Sequence, residues 1–389
     1  MRVLFTSLPA TGHFNSIMPT ARALAAAGHD VAVCCADAFG SEVTLSDLQH
    51  LPGGAPTLEA LTYGGPPIGD PGRPRFMQLE VFAGRAALAM LPDLMRHIEA
   101  WEPDLIVRES SEFAGCLAAE ARGLPHASIG TGSHSSLGDR RAVFREALTL
   151  RRQELGLPSD PGAEMMFRYL QLAFVPPRWD GDVVHPPSVH FICYDNPDRP
   201  AETRPDWLDA SRDRPLVLAS LGTLMYGQPG LFEAIIEAVA GEPFEVVAAI
   251  GRDQDPARFG VPPANVRIVP YVPQIQVLEA CAMFITHGGF NGTKEALRLG
   301  IPLVVLPIGA DQLYTAERVE ALGLGRRVAA DERDAATIRS RSREVMADGR
   351  FANNARKFAI DMEALPPMEH AVGLLERLAS ERQPIHRPA

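Results

Sequence analysis

The sequence predicts an α/β protein of two halves, each built on a parallel sheet. Three observations carry that prediction: a strand–helix–strand opening, a second series of short apolar strands after a Pro- and Asp-rich stretch, and 389 residues with 46% hydrophobic content, enough for two cores. In the first half, residues 3–6 form a short apolar strand. After a turn at Gly12, Ile17, Ala21, Leu24 and Ala25 recur at helical spacing until Gly28 ends the helix, and 31–35 is the second strand. Such a unit implies a right-handed crossover between parallel strands. Strands at 105–107 and 127–129 continue the alternation with helices between. The second series follows the stretch 196–214, with strands at 216–220, 246–250, 266–269, 284–286 and 303–306. The expected division is therefore 1–200 for the first domain, 201–214 for a linker, 215–368 for the second domain, and a terminal helix over 369–389 carrying Val372, Leu375 and Leu378.

Composition narrows the function. Lys and Arg number 37 against 48 Asp and Glu, a net charge of −11, which argues against nucleic acid or an anionic membrane as the main partner. The one basic cluster, Arg140, Arg141, Arg145, Arg151 and Arg152, is interleaved with Phe144, Ala147 and Leu148 and reads as the solvated side of an amphipathic helix. The five cysteines, Cys34, Cys35, Cys116, Cys193 and Cys281, form no C-x-x-C, which points to a reducing cytoplasm and no structural metal. The apolar run ending at Leu8 is too short for a signal-peptide core, and no later stretch has the length of a bilayer span. A Gly- and Pro-rich segment over 64–74 is either a cover for a site or a plain surface connection.

The densest chemical signal is HGGFNGTKEALRLGIPLVVLPIGADQ, from His287 to Gln312. A strand over 282–286 delivers His287 to a turn where Gly288 and Gly289 let backbone approach a ligand, and a helix begins near Asn291. Amides at a helix start attract phosphate. His287 can donate to the same anion, Glu295 can accept from ribose hydroxyls, and Asp311 and Gln312 suit the hydroxyls of a sugar. Every part fits a nucleotide diphosphate sugar. Ser220, Gly222 and Thr223 follow a strand in LASLGT, where small residues either meet a phosphate or form a simple turn. In open parallel sheets ligands bind beyond the carboxyl ends of strands, so the loop 8–15, with His13, holds a privileged position. A loop histidine is more often a capping or surface residue than a base, and its chemistry suits either. Two D-x-D pairs, Asp180 with Asp182 and Asp253 with Asp255, lie beside prolines and read as turn formers. No phosphate-loop motif, no strand-coupled G-x-G-x-x-G and no G-x-S-x-G elbow is present, which weighs against a nucleotidase, a dinucleotide oxidoreductase and, despite Ser133 beside His134, a serine hydrolase.

On these residues the chain resembles the GT-B glycosyltransferases of family one, especially their bacterial natural-product and antibiotic-modifying branch, over nearly its whole length. The resemblance implies two Rossmann-like domains whose parallel sheets face across a cleft, an N-terminal acceptor domain, a C-terminal nucleotide-sugar domain, and a last helix returning to the first domain. It places the diphosphate on His287 and the amides of Gly289, Phe290, Asn291, Gly292 and Thr293, ribose on Glu295, and the donor sugar on Asp311 and Gln312. YVPQ resembles the family's base-binding segment, so Tyr271 would stack on the nucleobase while Val272 and Gln274 flank it; an aromatic packed at a strand exit is the plain alternative. One position departs from the pattern: Gly292 stands where the family usually has Ser or Thr, with Thr293 one place later.

The family's base lies in a Gly-His turn, which makes His13 the favoured catalytic base. Glu109, following the strand in PDLIVRE, stands where relatives commonly carry an aspartate partner; Glu112 competes with it, and a solvated helix-start acid is the ordinary fate of either. The expected reaction is an inverting, metal-independent transfer from a UDP- or dTDP-sugar to a hydroxyl of a hydrophobic small molecule, with no cofactor and a monomeric or homodimeric enzyme. Segments 76–90 and 133–172 are the expected acceptor lining. A nucleotide-sugar epimerase or hydrolase on the same halves, and a nucleotide-sugar-binding protein without turnover, are the alternatives.

Overall fold

The computed structural model describes residues 1–68, 70–132, 140–194, 202–208, 213–223 and 227–388, with the side chains of 140–143 outside that description. Ser133, His134, Gly69 and much of the stretch 196–214 thus lie outside the described residues. The chain divides into two compact units, Met1–Pro200 with Leu365–Ala389, and Ala201–Ala364.

The first unit carries seven strands among the described residues: β1 (Arg2–Thr6), β2 (Asp30–Cys35), β3 (Gln49–Pro52), β4 (Leu105–Glu109), β5 (His126–Ile129), β6 (Leu170–Ala173) and β7 (Val189–Phe191). They pair in parallel in the order β3-β2-β1-β4-β5-β6-β7. The central strands β1 and β4 are buried apart from Arg2, as strands covered by helices on both faces must be. One core layer joins Leu4, Ile106 and Cys116 of sheet and helix to Leu94 and Leu117. The terminal helix Met368–Glu381 packs on this unit: Val372, Leu375 and Leu378 are buried, and Glu376 meets His29 at 2.8 Å.

The second unit repeats the pattern with β8 (Leu216–Ser220), β9 (Glu245–Ala249), β10 (Val266–Val269), β11 (Cys281–Thr286), β12 (Leu303–Val305) and β13 (Gly325–Arg327). Their order, again all parallel, is β10-β9-β8-β11-β12-β13. Val217, Phe232, Val246, Ile285 and Val304 belong to its core. Both sheets are α/β folds of one topology. In each the first and fourth strands are neighbours and the chain leaves them in opposite directions, which creates a switch point at their carboxyl ends. Among the described residues, no helix is long and apolar enough to cross a membrane.

The basic cluster is corrected in part. Arg152 is not on a solvated face: it is 3% exposed, pairs with Glu120, and donates to the Pro158 carbonyl at 2.8 and 3.0 Å. A guanidinium has enough donors to serve a carboxylate and a carbonyl together, so its burial is tolerated.

Candidate active site

In the first unit Thr6 of β1 lies opposite Arg108 of β4, so the residues that follow the two strands converge at the switch point. His13 arrives on the helix Thr11–Ala26, whose N-cap Ala10 is extended at φ −143° and ψ 130°. The sequence placed His13 in a loop; Gly12 does not interrupt the helix, and the histidine rides on its first turn. Its Nδ1 lies 3.1 Å from Oε1 of Glu109, the last residue of β4. The glutamate side chain is fully buried while 23% of the histidine side chain is exposed, so the carboxylate works inward and the imidazole edge outward. Glu109 Oε2 accepts the Ser111 amide at 2.7 Å.

Glu112 is engaged elsewhere. It accepts from the Thr6 hydroxyl and from the Ala114 and Gly115 amides at the start of the helix Ala114–Ala121. Burial pushes its pKa up, against the lowering pull of the Thr6 and Gly115 hydrogen bonds. Arg108, 1% exposed, donates to the carbonyls of Glu109, Ser110 and Glu112 and ties down the turn between the two acids. The carboxylate in contact with His13 is thus Glu109.

The wall beside His13 is apolar. The Phe82 ring lies 6.0 Å from the imidazole, centroid to centroid, and packs with Leu8, Leu61 and Val81. Phe82 sits in Met77–Ala86, a stretch wound as π-helix between the helices Arg73–Phe76 and Ala87–Trp101. Wide windings of this kind recur at functional sites.

In the second unit Ser220 of β8 lies opposite Thr286 of β11. The Gly222 amide donates to Ser220 Oγ at 3.3 Å, Gly222 takes φ +73°, and Thr223 is exposed. The His287 ring is wedged between two glycines: a Cβ at Gly222 would stand 2.5 Å from its Cε1, and one at Gly289 2.6 Å from its Nε2. Gly288, at φ +85°, passes so close to Val305 that a Cβ would meet it at 2.7 Å. His287 keeps a partly exposed edge, yet burial holds its pKa down to about 4. The ring is therefore neutral at pH 7 and acts as a dipolar donor. The helix Phe290–Arg298 starts right after it, and its N-cap Gly289 has no side chain to cap the first amides.

Glu295 Oε2 accepts from Gln274 Nε2 at 2.7 Å. Gly292 permits this, since a Cβ there would lie 3.1 Å from the same nitrogen. The departure from the family's Ser or Thr thus leaves room for the Gln274 amide. Phe290 and Thr293 are buried, Asn291 is partly exposed, and the Thr293 hydroxyl does not replace the lost one, being 1% exposed.

Two expected ligand residues sit differently from a simple reading. Gln312 is 4% exposed and its Oε1 accepts the Ile308 and Gly309 amides at 2.8 and 3.0 Å, so its acceptor braces the loop; Asp311 is the partly exposed member of the pair. Ala310, between them and Gly309, takes φ +56°, a strained value that the braced loop maintains. Tyr271 is 36% exposed, but the Arg252 guanidinium lies 3.4 Å from its ring centroid and its hydroxyl donates to Glu202. A base stacking here meets an aromatic already layered with a cation. Val272 beside it is buried, and a pocket of about 560 Å³ opens between Tyr271, Arg252, Trp207 and the segment 202–206. Arg252 and Glu202 escape a sequence reading because no motif marks them and packing alone brings them to Tyr271, whereas Phe82 falls within the segment 76–90 expected to line the acceptor.

One member of each D-x-D pair has a local duty: Asp180 Oδ2 accepts from His185 Nε2 at 2.8 Å, and Asp255 caps a short helix by accepting the Ala257 amide.

Residues 233–378 match the family described as Erythromycin biosynthesis protein CIII-like, C-terminal domain. The chain is 29% identical to the aklavinone 7-beta-L-rhodosaminyltransferase of Streptomyces galilaeus, over 98% of this chain and 97% of that one. It is 27% identical to the 3-alpha-mycarosylerythronolide B desosaminyl transferase of Saccharopolyspora erythraea, over 98% and 99%. The crystal structure of the glycosyltransferase VinC in complex with dTDP superposes with a TM-score of 0.80 at 27% identity, covering 98% of this chain and all of that one. The fold is that of the GT-B glycosyltransferases, and over nearly its whole length the chain is similar to glycosyltransferases of bacterial natural-product pathways. The two switch points carry an acid-braced histidine in one unit and a glycine-wedged histidine before a helix start in the other.

Proposed function

We propose that this glycosyltransferase transfers a sugar from a UDP- or dTDP-sugar to a hydroxyl of a hydrophobic small-molecule acceptor, with inversion at the anomeric carbon. The 3.1 Å contact between His13 and Glu109 carries this reading. His13 Nδ1 faces the carboxylate, which leaves Nε2 to take the acceptor proton as its oxygen attacks the anomeric carbon. The buried carboxylate then stabilises the imidazolium, a general-base contribution of roughly 10²–10⁴ in rate. Single displacement by that oxygen inverts the configuration. The apolar wall of Phe82, Leu8, Leu61 and Val81 supports a hydrophobic acceptor.

On the donor side, the neutral His287 and the amides opening the helix Phe290–Arg298 would hold the diphosphate and stabilise it as it leaves. That chemistry needs no metal ion. Glu295 and Gln274 would bind the nucleoside sugar, Asp311 the donor sugar, and Tyr271, Val272 and the pocket beside them the base. The dTDP bound in VinC supports a thymidine or related pyrimidine nucleotide. Proton NMR of the product formed from a donor of known anomeric configuration tests the reading: inversion, with rates unchanged by EDTA, is expected. Retention, or loss of turnover with chelator restored by a divalent ion, contradicts it.

A further inference from the structure

Beyond His13 and Glu109, the first switch point holds two hydroxyls that the reaction does not itself require. Thr131, two residues after β5, places Oγ1 3.5 Å from Glu109 Oε2 and 2.8 Å from Ser110 Oγ. The Thr131 amide donates to that same Ser110 Oγ at 3.2 Å. Only one proton order suits all three distances. The Thr131 amide donates to Ser110 Oγ, the Ser110 hydroxyl donates to Thr131 Oγ1, and the Thr131 hydroxyl points its proton at the carboxylate. In the opposite order, a Thr131 lone pair would face a carboxylate oxygen, which is repulsive. The contact of 3.5 Å is at the long limit of a hydrogen bond, so its weight lies in the direction of the dipole beside a fully buried carboxylate.

A glutamate has one more rotatable bond than an aspartate, and that freedom must be removed for Oε1 to stay on His13. The Ser111 amide fixes Oε2 from one side. We propose that Thr131 and Ser110 are positioning residues that fix it from the other, holding the Glu109 carboxylate in register with His13. The inference rests on the reading of His13 as the base. Thr131 acts through Glu109 and touches no reacting atom.

The test compares steady-state kinetics of Thr131→Val, Thr131→Ser and Ser110→Ala in the wild-type and Glu109→Ala backgrounds, with UDP and dTDP affinities by calorimetry. Thr131→Val should lower kcat by roughly three- to thirtyfold, the scale of coupling within one hydrogen-bond network, with acceptor KM and nucleotide affinity unchanged. Thr131→Ser should retain the wild-type rate, Ser110→Ala should show a smaller loss, and Thr131→Val should cost nothing further once Glu109 is Ala. An equal loss in both backgrounds, no loss in either, or no rescue by serine overturns the proposal. Should His13→Ala and Glu109→Ala keep full kcat, the base itself is wrongly assigned, an outcome visible before any Thr131 variant is made.

Discussion

At the scale of single residues, the protonation of His287 separates two ways of holding an anion. Burial keeps its pKa near 4, well below the ordinary histidine value, so the ring stays neutral from pH 8 down to about 5. A neutral ring contributes one hydrogen bond and no charge. The ratio of dTDP affinities between wild type and His287→Asn, measured by calorimetry, should therefore stay flat between pH 5.5 and 8, because the nucleotide's own titration cancels in the ratio. A ratio that climbs as pH falls through 6.5 would show a cation at work. The sign for folding is fixed as well: the unfolded histidine binds a proton from 6.5 downward and the folded one only near 4, so its contribution to stability is present above 6.5 and is lost as pH falls toward 4. The strand, helix start and following strand that carry His287, Glu295 and Asp311 were legible in the sequence because these residues sit at fixed offsets in one motif. The burial of Gln312 and the cation over Tyr271 were not, since they depend on Ile308 and on Arg252, whose partnership follows from tertiary packing.

At the scale of elements, close approach and not backbone freedom explains Gly289 and Gly292, neither of which takes a positive φ, in the motif that opens at His287. Gly289→Ala should weaken dTDP binding at least tenfold by calorimetry while the melting temperature changes little, because its Cβ would press on the partly exposed His287 ring and not on the core. Unchanged affinity would show that the ring's place between Gly222 and Gly289 is unimportant. The strongly apolar strands β1, β2, β8, β11 and β12 could be read directly from their side chains. β3 contains Pro52 and polar residues at a sheet edge, while β7 (VHF) and β13 (GRR) are short and carry His190 or arginines; such strands are defined by their pairing, and their local sequence carries little signal. Helix starts were subtler still: Thr11 opens a helix with no side-chain cap, which is why His13 looked like a loop residue.

At the scale of the whole molecule, the repeated topology is what gives each unit a switch point at the same place, beyond the first and fourth strands of its sheet. The terminal segment belongs to the first unit, where Met368–Glu381 buries Val372, Leu374, Leu375 and Leu378 at about 1.5–3 kcal/mol per side chain as an upper estimate. Removing residues 365–389 should therefore strip hydrogen-exchange protection from β1 and β4 and spare β8 and β11; equal loss in both sheets would contradict the division. In the proposed transfer His13 takes the acceptor's proton while the second unit holds the donor. Its most direct test is nucleotide release by wild type and His13→Ala, with donor affinity measured alongside. Release should require acceptor in the wild type, and the variant should lose roughly 10²–10⁴ in kcat with donor affinity intact. An unchanged kcat in His13→Ala would contradict the account.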